Sequence, residues 1–121
     1  AAAKYPSAAR ILSGPPRAAL VNYTVAVSKE VAKYNVCVNN ILPVMHITDP
    51  IVEMFTNIAK ENGTTMDEEI MNVVKEHKIA AGRFGDPNDI GSVVAMLCSE
   101  FSNYITGQSL IVDGGVTNSI F

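Results

Sequence analysis

The chain has no tryptophan, only two cysteines, no run of basic residues and few charges of either sign, 17% of its 121 positions. Each scarcity removes a class of function. Nine basic against twelve acidic residues leave a formal charge of -3, which offers no electrostatic footprint for a nucleic-acid backbone or an anionic lipid surface. No stretch approaches the roughly 18 uninterrupted apolar residues of a membrane-spanning helix, and the Ala-rich start lacks the charged-then-apolar layout of a signal peptide. The expectation is a cytoplasmic, single-domain protein with neither nucleic acid nor membrane as partner. Cys37 and Cys98 have no CxxC or Cys-His neighbour, so buried free thiols are expected and metal or redox work is not. His46 and His77 are isolated from any second ligand at metal spacing and read as structural or solvent-exposed. The glycosylation patterns at Asn22 and Asn62 carry weight only in a secreted chain and are discounted.

What is present is a series of helix and strand signals. PPRAALVNYTVAVSKEVAKY, from Pro15 to Tyr34, opens with prolines suited to a first helical turn and continues with apolar residues at helical spacing. Its stretch from Ala18 to Ser28 carries no charge, a wider apolar surface than one core-facing stripe requires. NVCVNNILP, residues 35–43, predicts a buried parallel-type strand. Asp49-Pro50 starts a helix that stops at Asn62-Gly63, and Thr65 with Glu68 has the spacing of a capping box opening a third helix. Met45, Met54, Met66 and Met71 in this region read first as pliable core filler and second as an adaptable pocket lid. Asp86-Pro87 starts a fourth helix with Ile90, Val93, Val94 and Leu97 on one face, and Ser109–Val112 forms a second strand ending at Asp113-Gly114-Gly115. This order of elements indicates an α/β fold with a mostly parallel sheet.

The segment GRFGDPNDIGSVVAMLCSEFSNYITGQSLIVDGG resembles the C-terminal part of the short-chain dehydrogenase/reductase family, which reads Gly-Arg-x-Gly, a Pro-initiated helix, Tyr-x-Thr-Gly-Gln, then Val-Asp-Gly-Gly. EVAKYNVCVNNILPVMHIT resembles the family segment before it, where a strand ends in Pro-Gly and a Thr follows five positions after the proline; Pro43 and Thr48 keep that frame, and Val44 replaces the Gly. The resemblance runs from about Arg10 to the last residue and implies a partial Rossmann-like fold, the second half of a doubly wound parallel sheet. It also implies NAD(P), which the family binds at a glycine-rich turn after its first strand, through backbone amides and a helix N-terminus. No such turn, no acidic residue to clasp an adenosine ribose and no Asn-Asn-Ala-Gly strand end occurs among these residues. No cofactor is therefore expected for the isolated chain. By resemblance, Pro43, the main chain at His46 and the Thr48 hydroxyl occupy a remnant site for the nicotinamide carboxamide and pyrophosphate. A bland role competes for Thr48, which stands where it would cap the second helix.

The resemblance also fixes two catalytic slots. In the family a Tyr donates a proton to the carbonyl, and a Lys four residues later lowers the Tyr pKa and holds the nicotinamide ribose. Aligned on AALVNYT, the Tyr slot holds Ser13 and the Lys slot Arg17. A guanidinium stays protonated and cannot relay protons. A serine hydroxyl ionises far above the ~10 of a phenol and is a poor acid or base near neutral pH. Both slots are expected to be non-functional. Tyr5 is no substitute, because Arg10 follows it by five residues and Pro15 and Pro16 interrupt any continuous helix. An Arg at the Lys slot, with KYNVCV, resembles the halohydrin dehalogenases, relatives that expel halide without NAD(P). Those retain the Tyr, however, and do not usually end the last strand in Val-Asp-Gly-Gly.

Two parallel strands alone expose edges and faces. At roughly 25 cal/mol per Å² of apolar area, leaving them in water forfeits an energy comparable to the ~5–15 kcal/mol that holds a domain together. The expected cover is a second copy of the protein or a complementing N-terminal half. In the family the equivalent of the first helix packs in a dimer interface, and the last helix and strand form another contact. The expected function is thus a truncated or degenerate dehydrogenase/reductase segment, incompetent alone. A non-catalytic interaction module and a dehalogenase-like lyase are the alternatives.

Overall fold

The structure, a computed structural model, describes residues 3–4 and 8–117. Four α-helices, α1 (Gly14–Val31), α2 (Asp49–Asn62), α3 (Met66–Glu76) and α4 (Pro87–Leu97), accompany two strands, β1 (Asn40–Pro43) and β2 (Ser109–Val112). The strands pair side by side in a short parallel sheet. The protein divides into two compact units, one of residues 1–42 and 90–112, the other of residues 43–89 and 113–121.

In the first unit, directional bonds take the place of a large apolar core. Residues 35–39, expected to be strand, are not part of the ladder, and β1 begins only at Asn40. One backbone bond, from the Gly107 amide to the Val38 carbonyl at 2.8 Å, and several side-chain bonds supply the missing rungs. The Val38 amide donates to Thr106 Oγ1 at 3.1 Å, Asn39 Nδ2 donates to the Ile105 carbonyl at 2.7 Å, and the Gln108 amide donates back to Asn39 Oδ1 at 3.0 Å. Thr24 on α1 donates to Asn40 Oδ1 at 2.8 Å, tying helix to strand. Ser28, 1% exposed, packs against Gly107, where a Cβ would lie 2.7 Å from Ser28 Oγ. Gly107 also has φ +70°, so glycine is required there on two counts. Among the described residues of α1 only Gly14 and Ser28 are buried, while Leu20 and Tyr23 are 58% and 66% exposed. The wide apolar surface expected of this helix is there, and much of it faces solvent. Val94 on α4 is exposed as well, and so is Cys98 just beyond that helix, against the expectation of a buried thiol; Cys37 is half-buried and both cysteines are free.

The second unit has a packed core of Phe55, Ile70, Val74, Ile79 and Phe84, with Met45, Ile47, Ile51 and Met66 against it. Met54 and Met71 are exposed. The helix pair α2–α3 starts and stops where local chemistry requires. Thr65 Oγ1 accepts from the Glu68 amide at 3.3 Å and Glu68 Oε2 accepts from the Thr65 amide at 2.9 Å, the expected capping box. Both helices end in a left-handed residue followed by a bond back to the last turn: Gly63 (φ +67°) with Thr64 N–H to Ala59 O, and Lys78 (φ +51°) with Ile79 N–H to Val74 O. Glycine adopts this conformation freely, whereas a lysine Cβ crowds the following carbonyl.

Asp113 begins the turn after β2. Its partial burial pushes the carboxyl up, but hydrogen bonds from the Thr117 hydroxyl and from the Gly115 and Thr117 amides outweigh that and hold it below the usual aspartate range. The turn packs on residues 79–81: Gly114 O accepts from the Ala81 amide at 2.8 Å, and a Cβ at Gly115 would lie 2.9 Å from that of Ala80.

Two outcomes follow from these ends and turns. Replacing Lys78 with glycine raises stability in reversible denaturant titration by about 1 kcal/mol, and Gly63→Ala lowers it by a similar amount. Asp113 has a lowered folded-state pKa, so the stability it contributes is complete above the unfolded aspartate value and is lost as pH falls through the folded one. Asp113→Asn therefore lowers the thermal midpoint at pH 7, and its deficit relative to the parent protein narrows as the pH is taken below the usual aspartate range.

Candidate functional site

Ser13 and Arg17 come together at the start of α1. Ser13 is the N-cap residue, half-buried, yet its hydroxyl makes no capping bond. The sequence explains why. The side chain of an N-cap residue accepts from the amides of the second or third helical residue, and here these are Pro15 and Pro16, which have no N–H. The exposed Arg17 instead turns back one helical turn and donates from Nη1 to the Ser13 carbonyl at 2.7 Å. The two slots are thus joined through main chain, with the serine hydroxyl uninvolved. Tyr5 lies outside the described residues.

The second group of expected residues lies on one segment of the other unit. Pro43, at the end of β1, is exposed, Val44 is half-buried, and His46 is buried at 7% exposure. His46 forms an isolated parallel bridge with Gly85: the Gly85 amide donates to the Met45 carbonyl at 2.9 Å and the Ile47 amide to the Gly85 carbonyl at 2.8 Å. The imidazole lies flat against the glycine, so a Cβ at position 85 would stand 2.4 Å from its Cδ2 and 2.5 Å from its Nε2. Nδ1 lies 3.3 Å from the Val44 carbonyl. The histidine is therefore a structural side chain, and its main chain fixes the approach to Thr48.

Thr48 is exposed and extended (φ -119°, ψ 161°) at the N-cap position of α2. Its carbonyl accepts from the Val52 amide at 2.9 Å, whereas its hydroxyl makes no capping bond. Pro50 removes one of the two amides a cap would use. The contrast with Thr65, whose hydroxyl is engaged in its capping box, is direct: the competing role for Thr48, capping through its hydroxyl, is not realised, and that hydroxyl stands clear at a helix N-terminus. Asp49, in the first turn beside it, adds a negative charge.

Near His46, Asp89 gathers the loop before α4. Its Oδ2 accepts from the Asp86 amide at 2.8 Å and from Arg83 Nη1 at 3.1 Å. These bonds, the backbone one first, hold the carboxyl below the usual aspartate range, and the nearby charges of Arg83 and His46 add to the effect. Arg83 Nη1 also donates to the Phe84 carbonyl at 2.9 Å. Sequence reasoning passed over Gly85 as a partner of His46; the Gly-Arg-x-Gly pattern was its only local signal. Among the described residues, no group of three or more His, Cys, Asp or Glu side chains is placed to hold a metal ion.

Comparison with known proteins identifies relatives of the chain. A family model described as Enoyl-(Acyl carrier protein) reductase matches residues 3–117. The 3-oxoacyl-[acyl-carrier-protein] reductase FabG of Aquifex aeolicus is 37% identical over 100 residues, covering 83% of this chain and 35% of that protein. The NADPH-dependent reductase BacG of Bacillus subtilis is 31% identical over 121 residues, 97% of this chain and 44% of the relative. Among solved structures, YwfH, an NADPH-dependent reductase involved in bacilysin biosynthesis, superposes with a TM-score of 0.84 at 29% identity, over 99% of this chain and 45% of that one. L-sorbose reductase from Gluconobacter frateurii, complexed with NADPH and L-sorbose, gives 0.82 at 29% identity, over 88% and 40%. The chain thus spans less than half the length of each of these relatives. With its α/β architecture, its Pro43-to-Thr48 frame and a match along nearly its whole length, the chain belongs to the short-chain dehydrogenase/reductase family.

Proposed function

We propose that these 121 residues are the C-terminal portion of a reductase-type fold and do not transfer hydride by themselves. The observation that carries this reading is the start of α1, where Arg17 is bound to the Ser13 carbonyl and no phenol stands at the Tyr slot. Bound NAD(P)H supplies hydride in enzymes of this family. The residues present fit one end of that group only. The Thr48 hydroxyl, unengaged at the N-terminus of α2, suits a phosphate oxygen. Pro43 and the main chain at His46, braced by Gly85, lead the backbone to that point. His46 itself contributes position, its ring packed against Gly85. Nothing in the sequence matches the adenosine anchor, and Asp49 weakens the anion site by its charge. Ser13 and Arg17 provide neither an acid poised near neutral pH nor a cation free to give up a proton. The protein is assigned to the cytoplasm.

The exposed apolar residues of the first unit support an assembled state. Leu20 and Tyr23 on α1, Val94 and Met96 on α4, and Phe101 beyond it are open to solvent. A second copy of the protein, or a separately supplied N-terminal half, is the partner proposed for these surfaces. The same exposure favours the second reading, a non-catalytic interaction module. The dehalogenase-like reading has Arg17 in its favour and Ser13 against it.

Calorimetric titration of the protein with NADPH and with NADH is expected to give only heats of dilution; saturable binding to either would overturn the loss of the nucleotide anchor. Size-exclusion chromatography with light scattering is expected to give a mass above that of one protomer, and a folded monomer at micromolar concentration would remove self-assembly and leave the separately supplied N-terminal half as the partner.

A further inference from the structure

The link between α2 and α3 contains chemistry that the reductase reading does not use. Asn62 is the only asparagine in the sequence followed by glycine, and both residues are exposed. Gly63 has open space where a Cβ would lie, and as a glycine it brings no side chain to hinder attack by its amide nitrogen. Asn62 Nδ2 donates to Glu69 Oε1 at 2.9 Å, and Thr64 Oγ1 donates to the same oxygen at 2.6 Å. One carboxylate oxygen thus clasps the last residue of α2 and the linker to α3.

We propose that Asn62 is a site of spontaneous deamidation whose product releases this clasp. The Gly63 nitrogen attacks Asn62 Cγ and forms a five-membered imide. The Cγ–Nδ2 bond breaks, and the nitrogen leaves as ammonia, taking up the proton lost by the Gly63 amide. Water then opens the ring at one of its two carbonyls, giving aspartate or its backbone-extended isomer at position 62. No oxidant or reductant is needed. The native structure gates the first step, because the Gly63 amide donates to the Ala59 carbonyl and must be freed by fraying of the final turn of α2.

The consequence follows from charge. A donor to Glu69 becomes an acceptor, and a second carboxylate stands where the first had a hydrogen-bond partner. The new anion also lies at the C-terminal end of α2, where the helix dipole disfavours it, and next to Glu61. The isomer, with an extra backbone atom, cannot keep the left-handed turn at Gly63 in register with the Thr64-to-Ala59 bond. The reaction runs one way, so the α2–α3 connection loosens with age.

Trypsin cuts after Lys60 and Lys75, which places Asn62 and Asn72 in one peptide. Asn72 precedes Val73, whose branched side chain hinders ring closure, and serves as internal control. After incubation of the folded 121-residue chain at mildly alkaline pH, mass spectrometry is expected to find the acid, in two isomers, at position 62 and the intact amide at position 72. Conversion is expected to be several-fold slower than in the free peptide of residues 61–75, the gap reporting the opening of the final helical turn. The variant Asn62→Asp, made directly, is expected to melt below the parent protein at pH 7 and to recover at acid pH as the facing carboxyls protonate. No acid at position 62, an equal rate in protein and peptide, or an Asn62→Asp variant that melts with the parent would each overturn the proposal.

Discussion

Phe55 and Phe84 meet edge to face, ring centroids 5.5 Å apart and planes at 80°, and a closed circuit of constraints runs through that contact. Phe84 is followed by Gly85, whose amide and carbonyl clamp Met45 and Ile47. Between them the His46 ring lies on the glycine, with no space for a Cβ. Two residues on, Thr48 takes the N-cap position of α2, and α2 returns the backbone to Phe55. An aromatic pair of this kind adds roughly 0.5–1.5 kcal/mol beyond its buried area. Its larger effect is geometric: moving either ring moves the loop that fixes the segment carrying Thr48. The position of that hydroxyl is set by packing that reaches far along the sequence, and not by the polar groups next to it.

The other unit is held on different terms. Its buried residues are few and small, with Leu42 the one buried large hydrophobic among the described residues there. Its strands and helix are tied by Thr24, Asn39, Asn40 and Thr106, side chains that satisfy backbone groups which a wider sheet would otherwise pair. Such bonds fix register but contribute modest net stability, about 0.5–1.5 kcal/mol each. Apolar area left in water is the other side of the same balance. A unit that specifies its geometry by polar clamps leaves Leu20, Tyr23 and Phe101 open, and that exposure is what the proposed assembly would cover.

This division explains what was legible in the sequence. Helix starts were, because they are local: Asp49-Pro50, Asp86-Pro87 and the Thr65–Glu68 box each satisfy or delete amides within one turn. The stop at Asn62-Gly63 was equally local. The first strand is present and parallel but begins at Asn40 rather than Asn35. NVCVNNILP has strand composition throughout, but Val38 bonds the Thr106 side chain and the Asn39 side chain bonds Ile105 and Gln108 in place of a regular ladder, and those bonds join positions far apart in sequence. The exposure of Val94 and Cys98 escaped for the same reason, since periodicity identifies an apolar face without saying what covers it. At the candidate site, the spacing of Ser13 and Arg17 disclosed their proximity, whereas the bond from Arg17 to the Ser13 carbonyl depends on two prolines leaving that helix start without amides for the serine hydroxyl to cap.

The prolines also constrain any chemistry at that helix start. Proton transfer to a substrate carbonyl needs an acid whose pKa lies near the working pH and a neighbour that adjusts it. At Ser13 the hydroxyl ionises too high, Pro15 and Pro16 withhold the amides that would stabilise an alkoxide there, and the adjacent cation has already committed a donor to the main chain. Restoring a phenol at that position alone would leave a permanently charged partner that can lower its pKa but cannot carry its proton onward. The two substitutions and the prolines between them therefore act together. On the proposed reading, they keep a fixed positive charge at the helix start and leave no group there suited to moving a proton.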